Sequence, residues 1–176
     1  MKKKQLFSIA TQVDFNSYFN ILKHLLITKL QKKKPRKVTV VFDIDGCIVD
    51  EKGNKENKIQ PVIDFYNYCL DIGIIPYIVT ARPAYPENIK FTMEMLKEVI
   101  NPKHPIWFEN IFFMNINLTD PFIYKHEARK LISRHKKILM TIGDNWCDID
   151  IQQSNMTSAL MRVDHVNKNV TFSTWN

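Results

Sequence analysis

Val38-Thr39-Val40-Val41-Phe42 constrains this chain more than any other segment. Five β-branched or aromatic residues stand in a row and are cut off by Asp43-Ile44-Asp45-Gly46. A strand with one wet face alternates apolar and polar residues. A nearly continuous apolar run instead suits a parallel strand covered on both faces. Helices must then lie above and below it, and 176 residues are enough to bury one such layered core.

The rest of the pattern supplies those layers. Residues 61–72 predict a helix with Pro61 in its first turn, Val62, Phe65, Tyr66, Cys69 and Leu70 on one face, and Gly73 at its end. Residues 74–79 predict a second strand. A helix over 86–100 would start at Pro86 and turn Ile89, Met93, Leu96 and Ile100 inward. A short strand near 111–114, a helix over 122–135, and strands over 137–142 and 158–163 follow. Residues 51–58 are polar and read as a loop. Alternating strands and helices imply βαβ units: an α/β, Rossmann-like three-layer fold with a mainly parallel sheet. Ligands of such sheets bind beyond the carboxyl ends of the strands.

Charge divides the chain in two. Residues 1–37 carry ten Lys or Arg against one acid, Asp14, whereas the remainder carries 15 basic and 17 acidic residues. The net charge of +7 therefore sits on the N-terminal stretch. Within that stretch residues 14–33 predict a helix, N-capped by Asp14, with Phe15, Tyr18, Phe19, Leu22, Leu25, Leu26 and Leu30 at helical spacing. Lys32 to Lys37 form a basic linker around Pro35. Solvated charge is the commoner meaning of such runs; attraction to a polyanion such as nucleic acid is the functional one. Residues 6–10 are too short an apolar stretch for a signal peptide, and no membrane span is visible. Three cysteines, Cys47, Cys69 and Cys147, offer neither a disulfide framework nor zinc-ligand spacing. A reducing, intracellular and cytoplasmic setting is the expectation.

The chemistry gathers at strand ends. The first strand ends in Asp43 and Asp45, the second in Thr80-Ala81-Arg82, and the one over 137–142 in Gly143-Asp144-Asn145-Trp146-Cys147-Asp148, with Lys125 opening the preceding helix. Neighbouring carboxylates repel one another, and a hydrated Mg²⁺ removes that cost. Metal, ammonium and hydroxyl together suit phosphoryl transfer.

This order and spacing resemble the four motifs of the haloacid dehalogenase (HAD) superfamily: a buried strand then Asp-x-Asp-Gly, a strand ending in Thr80, Lys125, and Gly143-Asp144-x-x-x-Asp148. Tyr124-Lys125 with Arg129, Gly-Asp-Asn-Trp-Cys-Asp, and Thr80-Ala81-Arg82 with Thr92 and Leu96 are similar to the acid phosphatase branch, which holds plant vegetative storage proteins and bacterial class B enzymes. Cys47 stands where that branch usually has Thr, and Ala81 replaces Gly. The resemblance covers about residues 38–163. It divides the chain into a basic N-terminal helical arm, 1–37, and a HAD-like catalytic domain, 38–176. The gaps between Asp45 and Thr80, and between Thr80 and Lys125, leave no room for a large cap domain.

The resemblance implies specific roles. Asp43 is the nucleophile and Asp45 the general acid–base. Asp43, Asp144 and the backbone carbonyl of Asp45 hold Mg²⁺, with Asp148 binding it directly or through water. Thr80, Ala81 and nearby backbone N–H groups bind phosphate oxygens, and Lys125 neutralises charge beside Asp43. Arg82 either touches substrate or makes a structural ion pair. Three functions are compatible: a phosphomonoesterase for nucleotides, other small esters or phosphoproteins; a nucleic-acid end-processing phosphatase; and a non-catalytic storage or binding protein.

Overall fold

The computed structural model describes residues 11–30, 33–50, 52–53, 55–100, 106–148, 157–164 and 169–175. Its centre is one sheet of seven strands: β1 (Thr11–Asp14), β2 (Val38–Phe42), β3 (Tyr77–Pro83), β4 (Ile111–Met114), β5 (Lys137–Gly143), β6 (Thr157–Asp164) and β7 (Asn169–Trp175). They lie in the order β1-β7-β6-β5-β2-β3-β4. Strands β4, β3, β2, β5 and β6 are mutually parallel, and β7 and β1 close the sheet with antiparallel pairs.

Among the described residues four α-helices cover it: α1 (Phe15–Leu30), α2 (Gln60–Asp71), α3 (Pro86–Val99) and α4 (Pro121–Ser133). Side chains that alternate along β2 face different layers. Val40 and Phe42 join a cluster with Leu22 and Leu26 of α1, Phe65 and Cys69 of α2, and Leu96 of α3. Val41 points the other way, into a cluster with Tyr124, Ala128 and Ile132 of α4. The continuous apolar run of β2 is thus explained: both faces are dry. An aromatic chain ties the first layer together, with Phe42 5.2 Å from Tyr66 and Phe19 5.6 Å from Phe65 between ring centroids.

Several boundaries differ from the sequence expectation. Asp14 ends strand β1 and directly precedes α1, which begins at Phe15 and stops at Leu30. The basic stretch expected as an arm thereby contributes both β1 and α1 to this fold. The second strand starts at Tyr77, beyond Pro76, and runs through Thr80-Ala81-Arg82 to Pro83. Proline has no N–H for a sheet ladder, which pushes the strand past it. Along α3, Leu96 and Ile100 are buried and Met93 packs half-buried on the core as expected, and Thr92, Met95 and Val99 widen the buried face. Strands β1 and β7 had not been expected.

This topology fixes the position of a site. From β2 the chain moves outward to β3 and β4, then crosses to the other side of β2 to form β5 and β6. The switch point falls between β2 and β5, where both strands end without a crossover to cover the gap.

Candidate active site

Asp43 follows β2 directly, and its N–H donates to Ile142 of β5 at 2.9 Å. The chain then turns tightly, with the N–H groups of Cys47, Ile48 and Val49 all donating to the Ile44 carbonyl at 3.2, 2.8 and 3.1 Å. Gly46 lies in this turn at φ +72°, a left-handed conformation that favours glycine. A Cβ on Gly46 would sit 2.3 Å from Asp144 Oδ2, so glycine also leaves space for that carboxylate. After β5, a single 3-10 turn (Trp146–Asp148) brings Asp148 back, and its Oδ2 accepts from the Asn145 N–H at 3.0 Å.

Lys125 enters from α4. Asp120 caps that helix by accepting from Phe122 and Ile123 N–H groups, and Pro121 occupies its first turn. One turn on, Lys125 is almost wholly buried, with its Nζ 2.9 Å from Asp43 Oδ1 and 2.5 Å from Asp148 Oδ1. Burial acts to lower the pKa of Lys125, but Asp43 and Asp148 outweigh it and the net shift is upward, so the ammonium stays charged. Burial drives Asp43 well above the usual carboxylate range and Asp148 adds to this, against the pull of Lys125 and the Ile44 N–H.

Oxygens of Asp43, Asp144 and Asp148 all lie within 4.8 Å of one another. Three hard carboxylate oxygens at this spacing, beside one ammonium, fit a divalent cation such as Mg²⁺. Asp43, Asp144 and Asp148 offer the oxygens that could hold it. Both Asp148 oxygens already accept hydrogen bonds, from Lys125 and the Asn145 N–H. The Asp45 side chain is outside this trio. Arg82 takes both of its oxygens, Nε to Oδ2 at 2.9 Å and Nη2 to Oδ1 at 2.6 Å.

Thr80 is fully buried in β3, and its Oγ accepts from the Arg82 N–H at 3.2 Å. Phe42 pairs with Ile78, so continuing that register sets Thr80 level with Ile44. The pairing of β3 with β4 shifts between Thr80 and Pro83, leaving Ala81 and Arg82 in a bulge. The nearby thiols are inert at neutral pH. Cys47 is raised by burial and then by Asp43, and Cys147 is pushed up to about 11 by burial and then Asp148.

Sequence reasoning treated the glycines only as turns and left the partner of Arg82 open. A Cβ on Gly143 would meet Asp148 at 2.3 Å, and one on Gly53 would meet Arg82 Nη2 at 2.6 Å. The signal for these roles was the chain's scarcity of glycine: all but one of its four, Gly73, adjoin the site.

The fold and its acidic cluster define a phosphatase of the HAD type, and the profile of the HAD superfamily, subfamily IIIB (acid phosphatase), matches residues 48–169. This is more than half of the chain, which therefore belongs to that subfamily. The match begins just past Asp43 and Asp45 and takes in Thr80, Arg82, Lys125, Asp144 and Asp148. No curated protein matches the chain. No helix among the described residues is long and apolar enough to cross a membrane.

Proposed function

We propose that the protein is a Mg²⁺-dependent phosphomonoesterase that works through an aspartyl-phosphate on Asp43. The observation that carries this reading is the buried Asp43–Lys125–Asp148 array, with Asp144 beside it, at the topological switch point. An Asp43 oxygen attacks phosphorus while the bond to the leaving oxygen breaks, and Asp45 gives that oxygen its proton. Water then attacks the phosphoryl group and passes a proton to Asp45. The bond to Asp43 breaks, and inorganic phosphate leaves. Lys125 compensates charge on Asp43 throughout. Mg²⁺, when bound, supplies further positive charge for the carboxylates and the migrating phosphoryl group. Thr80 and the backbone N–H groups around it are the phosphate-oxygen donors.

Substrates are small esters, nucleotides or phosphoproteins. Among the described residues, only a loop and α2 lie between Asp45 and Thr80, and only α3, β4 and their connections between Thr80 and Lys125, so the mouth is open. The test is phosphate release from 4-nitrophenyl phosphate with Mg²⁺, with EDTA, and by Asp43→Asn. Release only by the wild type with metal is the expected result. Turnover by folded Asp43→Asn would overturn the nucleophile assignment.

A second reading is a phosphatase for nucleic-acid ends, and a charged pole supports it. Val38 pairs with Lys137 at the start of β2 and β5, which sets Lys136 and Lys137 beside Lys33, Lys34, Arg36 and Lys37. Lys136 Nζ donates to the Arg36 carbonyl. Lys29 joins the pole, and its pKa is lowered by burial and then by Lys33 and Lys137. Asp43 is at the other end of β2, about 17 Å away for five residues. An anion at the pole is therefore a tether and not the reacting phosphate. Faster turnover of a 3′-phosphorylated oligonucleotide than of a mononucleotide would favour this reading.

A further inference from the structure

Resting on the phosphatase reading, we infer that Arg82 is a positioning residue for Asp45 and not a ligand of the substrate phosphate. A guanidinium has five N–H donors in one plane, and their directions are fixed. In Arg82 the Nε and Nη2 edge forks onto both oxygens of Asp45, at 2.9 and 2.6 Å. Nη1 donates to Thr92 Oγ at 3.0 Å, and Thr92 is fully buried on α3. The outer edge, between Nη1 and Nη2, faces Met95 Sδ at 3.7 and 3.8 Å. No edge of the fork is left for an incoming phosphate. The Arg82 side chain is 10% exposed and that of Asp45 33%, so the carboxylate is the more accessible partner of the pair.

Two further features make this a built cradle. The bulge in β3 re-aims Arg82, and its N–H is tied to Thr80 Oγ at 3.2 Å. From the other side the loop after β2 lies against the pair at Gly53, where a Cβ would come within 2.6 Å of Arg82 Nη2 and 2.9 Å of Asp45 Oδ1. Asp50 staples that loop. Its oxygens accept from Lys52 N–H at 3.1 Å and Asn57 Nδ2 at 2.7 Å, and its carbonyl accepts from Gly53 N–H at 2.9 Å. Strand, loop and helix thus converge to hold one carboxylate in one orientation. Positive charge beside the phosphate would come from Lys125 and from a cation held by the acidic cluster.

The experiment compares wild type, Arg82→Gln, Arg82→Lys, Thr92→Val, Asp45→Asn and the Arg82→Gln/Asp45→Asn double variant, each checked for folding by circular dichroism. Arg82→Gln should lower kcat by ~10²-fold while KM and inhibition by inorganic phosphate stay within about threefold. Arg82→Lys should fail to rescue, because an ammonium cannot fork onto two oxygens. Thr92→Val, which removes one bond and keeps the fork, should show the same split at about tenfold. The double variant should be no slower than Asp45→Asn alone within about threefold, as for two groups acting through one. Phosphate inhibition weakened about tenfold or more in Arg82→Gln, rescue by Arg82→Lys, or multiplicative losses in the double variant would overturn the inference. Calorimetry of inorganic phosphate binding with Mg²⁺ reads it without turnover: equal affinity for wild type and Arg82→Gln supports the positioning role, and loss of affinity overturns it. A wild type that binds phosphate but hydrolyses no ester would instead sink the phosphatase reading.

Discussion

Lys125 Nζ lies 2.9 Å from Asp43 Oδ1, and both side chains are buried at the end of β2. The same ammonium holds Asp148 at 2.5 Å. Two buried carboxylates thus share one ammonium. Removing one partner of a buried pair costs about 3–5 kcal/mol, because the remaining charge is uncompensated. Lys125→Met should therefore lose activity and unfold at markedly lower temperature. Added Mg²⁺ should recover part of the stability, which thermal melts with and without the ion will show.

The pH dependence of the metal-free protein follows from Asp43. Its ordinary pKa is 3.8, and burial, aided by Asp148, raises it well above that in the fold. Between the two values the native state binds more protons than the unfolded chain, so stability falls as pH rises through the window. In EDTA the protein should be more stable at about pH 5 than at about pH 7.5 through this group, and Asp43→Asn should flatten the difference. Mg²⁺ should restore stability at the higher pH by binding only the folded form. Melting temperatures of both proteins at both pH values test this.

Gly46 separates backbone strain from site occlusion. Gly46→Ala places a Cβ against the Asp144 carboxylate at a positive φ. We expect a loss of about 1–3 kcal/mol from strain, together with a rise of about tenfold or more in the Mg²⁺ needed for half-maximal activity. Gly73→Ala is the control. Its φ is +79°, but the nearest atom is Pro35 Cβ at 3.6 Å. It should lose comparable stability and keep its Mg²⁺ requirement.

The basic pole makes a separate prediction. Neutralising Lys33, Lys34, Arg36, Lys37, Lys136 and Lys137 should abolish most of the salt dependence with which the wild type binds an unphosphorylated oligonucleotide. Equal, salt-insensitive or absent binding in both proteins would make the pole a solubilising surface only. Hydrolysis of 4-nitrophenyl phosphate should be unaffected in either case, since these residues lie at the opposite end of β2 from Asp43.

Local signals in the sequence carried most of the central layer. The β-branched run of β2, the proline at the start of α2 and α3, and the polar residues ending β2 and β5 are short-range features, read within a few positions. What escaped depends on distant partners. Strand β1 is a strand because Thr11–Asp14 pairs with Phe172–Asn169, and nothing within Thr11–Asp14 itself announces this. The buried face of α3 is wider than its apolar stripe and includes Thr92, which meets Arg82 in a polar contact that an apolar-periodicity reading discounts. The sequence order of Asp43, Thr80, Lys125, Asp144 and Asp148 pointed to one strand edge. That the Asp45 side chain turns from the acidic trio to Arg82 could not be read from spacing, since the two are joined only through the bulge after Thr80.

The pairing of β1 with β7 also sets an order of events. Among the described residues, strand β1 has only β7 as a neighbour, and β7 joins the sheet through β6. Thr11 and Asp14 therefore wait for Phe172 and Asn169 to be synthesised before their backbone groups find partners. At about 5–20 residues per second, that delay lasts on the order of ten seconds or more on the ribosome. Helix α1, anchored by Tyr18, Phe19, Leu22 and Leu26, can dock on α2 well before then. The nascent chain thus carries an unsatisfied β1 edge while the core after it assembles, until β7 emerges to pair with it.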